Sequence, residues 1–261
     1  MFFPAHNPSP ATLCGTNCFL VGTGLERIFV EAGDKDNKLL IANLSEYLHA
    51  NKVTISKILI THGHHDHLDG LPSLLTALPN KPQAYKMDHK DLLELKEGMS
   101  FEIEGASIKC LHTPGHADDH ISFLIDEKML ICGDIVLGAP SAMINDLDIY
   151  LRTLRRVQSL GLEYLFLPHS VSLDEVMVKA EPKLTDYIEY RESRLKQVLA
   201  CITTESTTKE KIYEKVYGDR NLTGGLKMMA LSNLDLQLAK LIKDGLVVVV
   251  GDETYSTQAK L

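Results

Sequence analysis

Residues 61–67 read Thr61-His62-Gly63-His64-His65-Asp66-His67, so four of the chain's 11 histidines and one aspartate fall within six consecutive positions. Imidazole and carboxylate are the side chains that borderline and hard divalent cations take, and the lack of a cysteine in the stretch argues against a closed thiolate site. The cluster reads as half of a metal centre rather than an exposed polar loop. Its approach constrains the fold too. Val53-Thr54-Ile55-Ser56-Lys57-Ile58-Leu59-Ile60 is short, β-branched and mostly apolar, as a strand buried on both faces would be. In open α/β sheets ligands gather beyond the carboxyl ends of such strands, which is where His62 stands.

The same juxtaposition recurs downstream. Residues 99–113 and 121–132 supply several strands, among them Ile108-Lys109-Cys110-Leu111 and Ile121-Ser122-Phe123-Leu124-Ile125. Thr113-Pro114-Gly115-His116, Cys132-Gly133-Asp134 and Phe166-Leu167-Pro168-His169 each put a ligand-type residue at a turn after an apolar run. Upstream, Cys18-Phe19-Leu20-Val21 and Arg27-Ile28-Phe29-Val30 flank Gly22-Thr23-Gly24 as a hairpin. Leu40, Ile41, Leu44 and Leu48 mark an amphipathic helix over 37–50, a further helix opens at Leu71, and Pro82 to Tyr85 is a short strand.

From about residue 181 the pattern turns helical. Leu184, Tyr187, Ile188, Leu195, Val198, Leu199 and Ile202 lie along one side of a helix over 183–202. Thr207-Thr208-Lys209-Glu210 is a capping-box pattern for a second helix that Gly218 can close, and Leu226 to Lys243 makes a third, ended by Gly245. Leu246–Val250 and Glu253–Ser256, joined across Gly251-Asp252, form a hairpin, so this part is expected to be a small winged-helix-like unit. Arg152, Arg155 and Arg156 on one helix, and Arg191, Arg194 and Lys196 on another, read as solvated faces, with phosphate contact as the alternative.

Composition bounds the rest. The chain's 261 residues can bury a sizeable core, and 44% hydrophobic with 24% charged residues is ordinary for a globular protein. No apolar run nears the roughly 18 residues that span a bilayer, no targeting segment is visible, and no membrane partner is expected. Five cysteines with no Cys-x-x-Cys pair suit a reducing compartment and read mostly as small core residues. A net charge of −8 offers no global attraction to nucleic acid.

His62-x-His64-x-Asp66-His67 followed by His116, Asp134 and His169 resembles the metallo-β-lactamase superfamily. The resemblance implies an α/β fold, a four-layer αββα sandwich over residues 1–180 with two metal ions at one edge, zinc being expected, and a winged-helix-like domain over 181–261. Carried over residue by residue, His62, His64 and His116 would hold the first ion, Asp66, His67 and His169 the second, and Asp134 would bridge them. Asn7-Pro8, Thr12-Leu13, Gly15-Thr16-Asn17, Leu20-Val21-Gly22, Asp118-Asp119-His120 and Gly133-Asp134 look like the lactamase-beta-2 branch. Its animal members are single-strand-specific endoribonucleases of the mitochondrial matrix, while a related fungal branch hydrolyses acyl thioesters on carrier proteins. Three departures stand out: Glu31 where the branch has an aspartate behind the histidine loop, Leu167-Pro168-His169-Ser170 for Pro-Gly-His-Gly, and a start so near Asn7-Pro8 that little room is left for a first strand or an import signal.

Two cations about 3.5–4 Å apart clamp the attacking and leaving oxygens of a displacement, and water on zinc ionises near neutrality. Asp66 is then ligand and orienter of the nucleophile, and His120 either backs a ligand or protonates a leaving group, while His65 is left to solvent. The expected activity is hydrolysis of single-stranded RNA, with thioester or glyoxalase-like hydrolysis as the alternative on the same centre and a non-catalytic metal-stabilised binding protein as the rival from another class. The matrix is the compartment the resemblance implies, with the cytosol as the alternative.

Overall fold

The computed structural model describes residues 1–35, 37–139 and 143–257. One sheet has the order β1 (Phe2–Pro4), β2 (Asn17–Val21), β3 (Glu26–Val30), β4 (Thr54–Leu59), β5 (Gln83–Lys86) and β6 (Leu93–Glu94). Helix α1 (Lys38–Asn51) crosses between β3 and β4, and the single turn α2 (His65–Leu68) and α3 (Leu71–Ala77) lie between β4 and β5. That order makes β3, β4 and β5 parallel neighbours, as crossover helices require. The second sheet runs β12 (Met177–Lys179), β11 (Tyr164–Phe166), β10 (Met129–Ile131), β9 (Ile121–Ile125), β8 (Ala106–His112), β7 (Ser100–Ile103), with α4 (Leu147–Gln158) between β10 and β11.

Strand periodicity sorts the side chains into layers. In β3 and β4, Ile28, Val30 and Leu59 point between the sheets, where they meet Phe101, Ile108, Ile121, Phe123 and Ile125 of the second sheet. Phe29, Ile55 and Ile58 point the other way, against Leu40, Leu44 and Leu48 of α1 and Leu71 and Leu74 of α3. On the far side Leu111, Leu124 and Leu130 pack on Tyr150, Leu151 and Leu154 of α4 and on Leu184 and Tyr187 of α5 (Ala180–Cys201). Both faces of both sheets are covered, giving the four-layer αββα sandwich with the strand ends free at one edge.

The carboxyl-terminal part adds β13 (Thr207–Thr208), α6 (Lys209–Tyr217), α7 (Gly224–Lys243), β14 (Val247–Gly251) and β15 (Thr254–Thr257), with sheet order β13-β15-β14. Its core gathers Val198, Ile202, Ile212, Leu234, Leu238, Leu241 and Val247. The early part of α5 thus packs on the sandwich and the late part on this second core. No described helix is long and apolar enough to cross a membrane.

Three expectations are corrected. A first strand does form, because Phe2–Pro4 pairs antiparallel with Asn17–Phe19 and buries Phe3. The cap of α6 is Thr208, whose side chain accepts from the Lys211 amide, while Thr207 is used in β13; the cap sits one residue later than the capping box requires. Arg191 and Arg194 are buried, at 4% and 8% exposure, and line no solvated face. Their guanidinium groups lie 5.5 Å from the Tyr150 ring and 5.1 Å from the Tyr217 ring, and Arg194 also donates to the Val216 carbonyl. By contrast Arg152, Arg155 and Arg156 are exposed and paired with Asp148, Glu192 and Glu97.

Candidate metal centre

The four sequence segments that carry ligand-type residues all emerge at the same edge of the sandwich. His62 and His64 follow β4, Asp66 and His67 occupy the turn α2, His116 follows β8, Asp134 sits in a single 3-10 turn over Gly133–Ile135 after β10, and His169 follows β11. Apart from His64, all are buried. Their ligand atoms form two groups, His62, His64, His116 with Asp134, and Asp66, His67 with His169, each within 4.8 Å.

Asp134 joins them. Its Oδ2 lies 3.4 Å from His116 Nε2 and 3.9 Å from His62 Nε2, whereas its Oδ1 lies 3.2 Å from His67 Nε2 and 3.3 Å from His169 Nε2. Asp66 Oδ2 completes the second group at 3.1 Å from His169 Nε2 and 3.3 Å from His67 Nε2. His65, with 71% of its side chain exposed, belongs to neither.

Groups behind the imidazoles decide which nitrogen faces inward. His116 Nδ1 donates to the Met143 carbonyl at 2.6 Å and His169 Nδ1 to the Gly15 carbonyl at 3.3 Å, so each turns its Nε2 to the centre. The Thr61 hydroxyl donates to Glu31 Oε1 at 2.6 Å and must therefore accept from His62 Nδ1 at 2.9 Å, which leaves His62 Nε2 bare as well. His67 Nδ1 lies 3.1 Å from Glu31 Oε1, a charge contact off the line of a well-aligned hydrogen bond. The extra methylene of Glu31 relative to aspartate is absorbed by a left-handed backbone, φ +72°, and the carboxylate still reaches both Thr61 and His67.

This arrangement fits a pair of cations. His62 Nε2 and His116 Nε2, both lone pairs, stand 3.2 Å apart, and Asp134 Oδ1 is buried with no hydrogen bond although two imidazole nitrogens flank it. His64 Nδ1 lies 2.9 Å from both His62 Nε2 and His116 Nε2, so three imidazole nitrogens and a carboxylate converge on one point, the donor set that a borderline divalent cation takes. Electrostatics separates the two groups. Burial, then the neighbouring imidazoles, keeps His62 and His64 below the ordinary histidine range. Burial also opposes charge on His67 and His169, but Glu31, Asp134 and Asp66 outweigh it for His67, and Asp134 with Asp66 raises His169 to about 9. Against their own burial, Asp66 and Asp134 are held well below the carboxylate range by His169 and His67.

His120 lies behind this edge. Its Nε2 accepts from the Asp134 amide at 3.0 Å, so its proton is on Nδ1, which meets Thr113 Oγ1 at 2.8 Å. Fully buried and with both nitrogens engaged, it braces the Asp134 turn from behind. Gly133, at φ +51°, is required beside it, because a Cβ there would run into the His120 ring. Met143 and Gly15 escaped the sequence reading because they act through main-chain carbonyls, which no side-chain type announces.

Residues 11–169 match the profile of the metallo-beta-lactamase superfamily. The Beta-lactamase-like protein 2 homolog of Caenorhabditis elegans is 32% identical over 260 residues, covering 96% of this chain and 86% of that protein. The Lactamase-like protein adaB of Aspergillus niger is 37% identical over 199 residues, 75% of this chain and 61% of that one. Among solved structures, a Beta-lactamase domain protein from Burkholderia ambifaria superposes with a TM-score of 0.80 at 16% identity, covering 96% of this chain and 90% of the other, a likeness of fold. With the clustered ligand-type residues, sandwich and relatives in agreement, the chain belongs to the metallo-β-lactamase superfamily, on the branch of the beta-lactamase-like protein 2 homologues.

Proposed function

We propose that this metallo-hydrolase is an endoribonuclease that cleaves single-stranded RNA at a two-ion centre formed by His62, His64, His116 and Asp134 on one side and Asp66, His67 and His169 with Asp134 on the other, with zinc as the expected metal. The observation that carries the hydrolytic reading is the division of the two Asp134 oxygens between the two groups, the arrangement of a bridging ligand. The bound ions supply Lewis acidity and a water that ionises near neutral pH. Asp66 and Asp134 would be the carboxylates that hold those ions, and the Met143, Gly15 and Glu31 acceptors keep His116, His169 and His67 turned inward. His64, the ligand left exposed, marks the side from which substrate arrives.

RNA is the substrate that the sequence resemblance to the lactamase-beta-2 branch implies, and the likeness to the Beta-lactamase-like protein 2 homolog extends over 96% of this chain. A second reading, thioester hydrolysis, is what the resemblance to the related fungal branch implies; the chain is 37% identical to the Lactamase-like protein adaB over 199 residues. The test is incubation of purified protein with labelled single-stranded RNA, the matching duplex and an acyl thioester, each with and without chelator. Chelator-sensitive cutting of the single strand alone is expected; intact RNA beside a hydrolysed thioester replaces the first reading with the second.

A further inference from the structure

The described part of the chain between Asp134 and α4 meets three of the seven ligand-type residues. It starts at Asp134 itself, its Gly138 amide donates to the His169 carbonyl at 2.7 Å, and its Met143 carbonyl accepts from His116 Nδ1 at 2.6 Å. Contact with His169 is tight: a Cβ on Gly138 would lie 2.7 Å from the Val171 nitrogen and 2.9 Å from Ser170 Cα. The part of this segment at 137–139 is held from outside the sandwich by α5. The Tyr187 hydroxyl accepts from the Leu137 amide at 2.8 Å and lies against the carbonyls of Leu137 and Ala139, and Lys183 Nζ donates to the Gly138 carbonyl at 2.8 Å. Tyr187 is 1% exposed, so water cannot replace it there. One residue thus anchors the amide and carbonyls on both sides of the glycine that holds His169.

We propose that Tyr187 is a positioning residue for the second metal group: through Leu137 and Ala139 it sets the Gly138 amide that fixes His169, and so links the long helix shared with the carboxyl-terminal part to the binding of one ion rather than both. The inference rests on the assignment of His169 as a ligand. Partners behind a metal ligand are worth about 10–100-fold in affinity, and Tyr187 stands one step further back, so about tenfold is expected.

The test is titration of metal-free chain with cobalt(II) against a competing chelator, read by the visible absorption of the ion, for the unaltered chain, Tyr187→Phe and Val198→Ala. The unaltered chain should take up two ions; uptake of a single ion overturns the ligand assignment itself. Tyr187→Phe keeps the ring in the core and removes only the hydroxyl. It should weaken the second ion about tenfold, with the first ion unchanged. Val198→Ala lies on the same helix but in the other core, and should lower the melting temperature while leaving both affinities as they were. Equal affinities in Tyr187→Phe and the unaltered chain, or equal losses in both variants, overturn the proposal. If Tyr187→Phe does not fold, Lys183→Met, which frees the same loop from a partly exposed position, carries the same expectation in weaker form.

Discussion

Replacing Glu31 by glutamine tests how far the centre depends on the groups behind it. The carboxylate is 1% exposed, accepts from Thr61 Oγ1 at 2.6 Å and from the Thr61 amide at 3.4 Å, and lies 3.1 Å from His67 Nδ1. Glutamine keeps the shape but has one acceptor oxygen, so its NH2 must face the Thr61 amide or His67 Nδ1–H, donor against donor. A buried donor left without an acceptor costs about 1–3 kcal/mol of folding free energy. Loss of an orienting carboxylate costs about 10–100-fold in metal affinity, or about 1.4–2.8 kcal/mol at 1.4 kcal/mol per power of ten. The loss should fall mainly on the His67 group. Glu31 also helps raise the proton affinity of His67, so the variant suffers less competition from protons, and its deficit should shrink as pH falls. Metal-free Glu31→Gln would be titrated with zinc against a chromophoric chelator at mildly alkaline and mildly acidic pH. An unchanged affinity for the second ion in alkali would refute the reasoning.

The bridging residue makes a sharper expectation: Asp134→Ala should lower hydrolysis by about two powers of ten or more, because several kcal/mol of charge stabilisation depends on both ions, and undiminished turnover removes the bridge. Loading the metal-free chain near neutral pH should release close to the two protons of His67 and His169, read by calorimetry in buffers of differing ionisation enthalpy; no buffer dependence contradicts the charge assignment. His169 is raised from 6.5 to about 9 on folding, so its contribution to the metal-free fold is whole below 6.5 and is lost as pH rises through about 9. The melting temperature with chelator present should therefore drop across that window. Gly138→Ala should cost about 1–3 kcal/mol by forcing backbone apart, seen as a lower melting temperature with weakened second-ion binding; a neutral result means that the close approach to Ser170 and Val171 is not rigid.

The convergence of these ligand-type residues was legible because metal chemistry admits few side-chain types and each follows an apolar run whose strand ends at the same edge. The central strands were equally plain, since their β-branched runs are covered on both faces. What the sequence hid has physical reasons. β1 is three residues at a sheet edge, too short to show alternation. The burial of Arg191 and Arg194 depends on rings from Tyr150 and Tyr217, which lie on other helices. The acceptors that turn His116 and His169 are main-chain carbonyls, and their placement is a property of the folded path alone.

Helix α5 gives its early turns to one core and its late turns to another. Cutting the chain before Glu181 would strip Leu184, Tyr187 and Ile188 from the layer over β8–β10 and leave their apolar counterparts wet. Catalytic half and helical tail should therefore melt as a single cooperative body, and a protease should find no place between them at which both fragments survive.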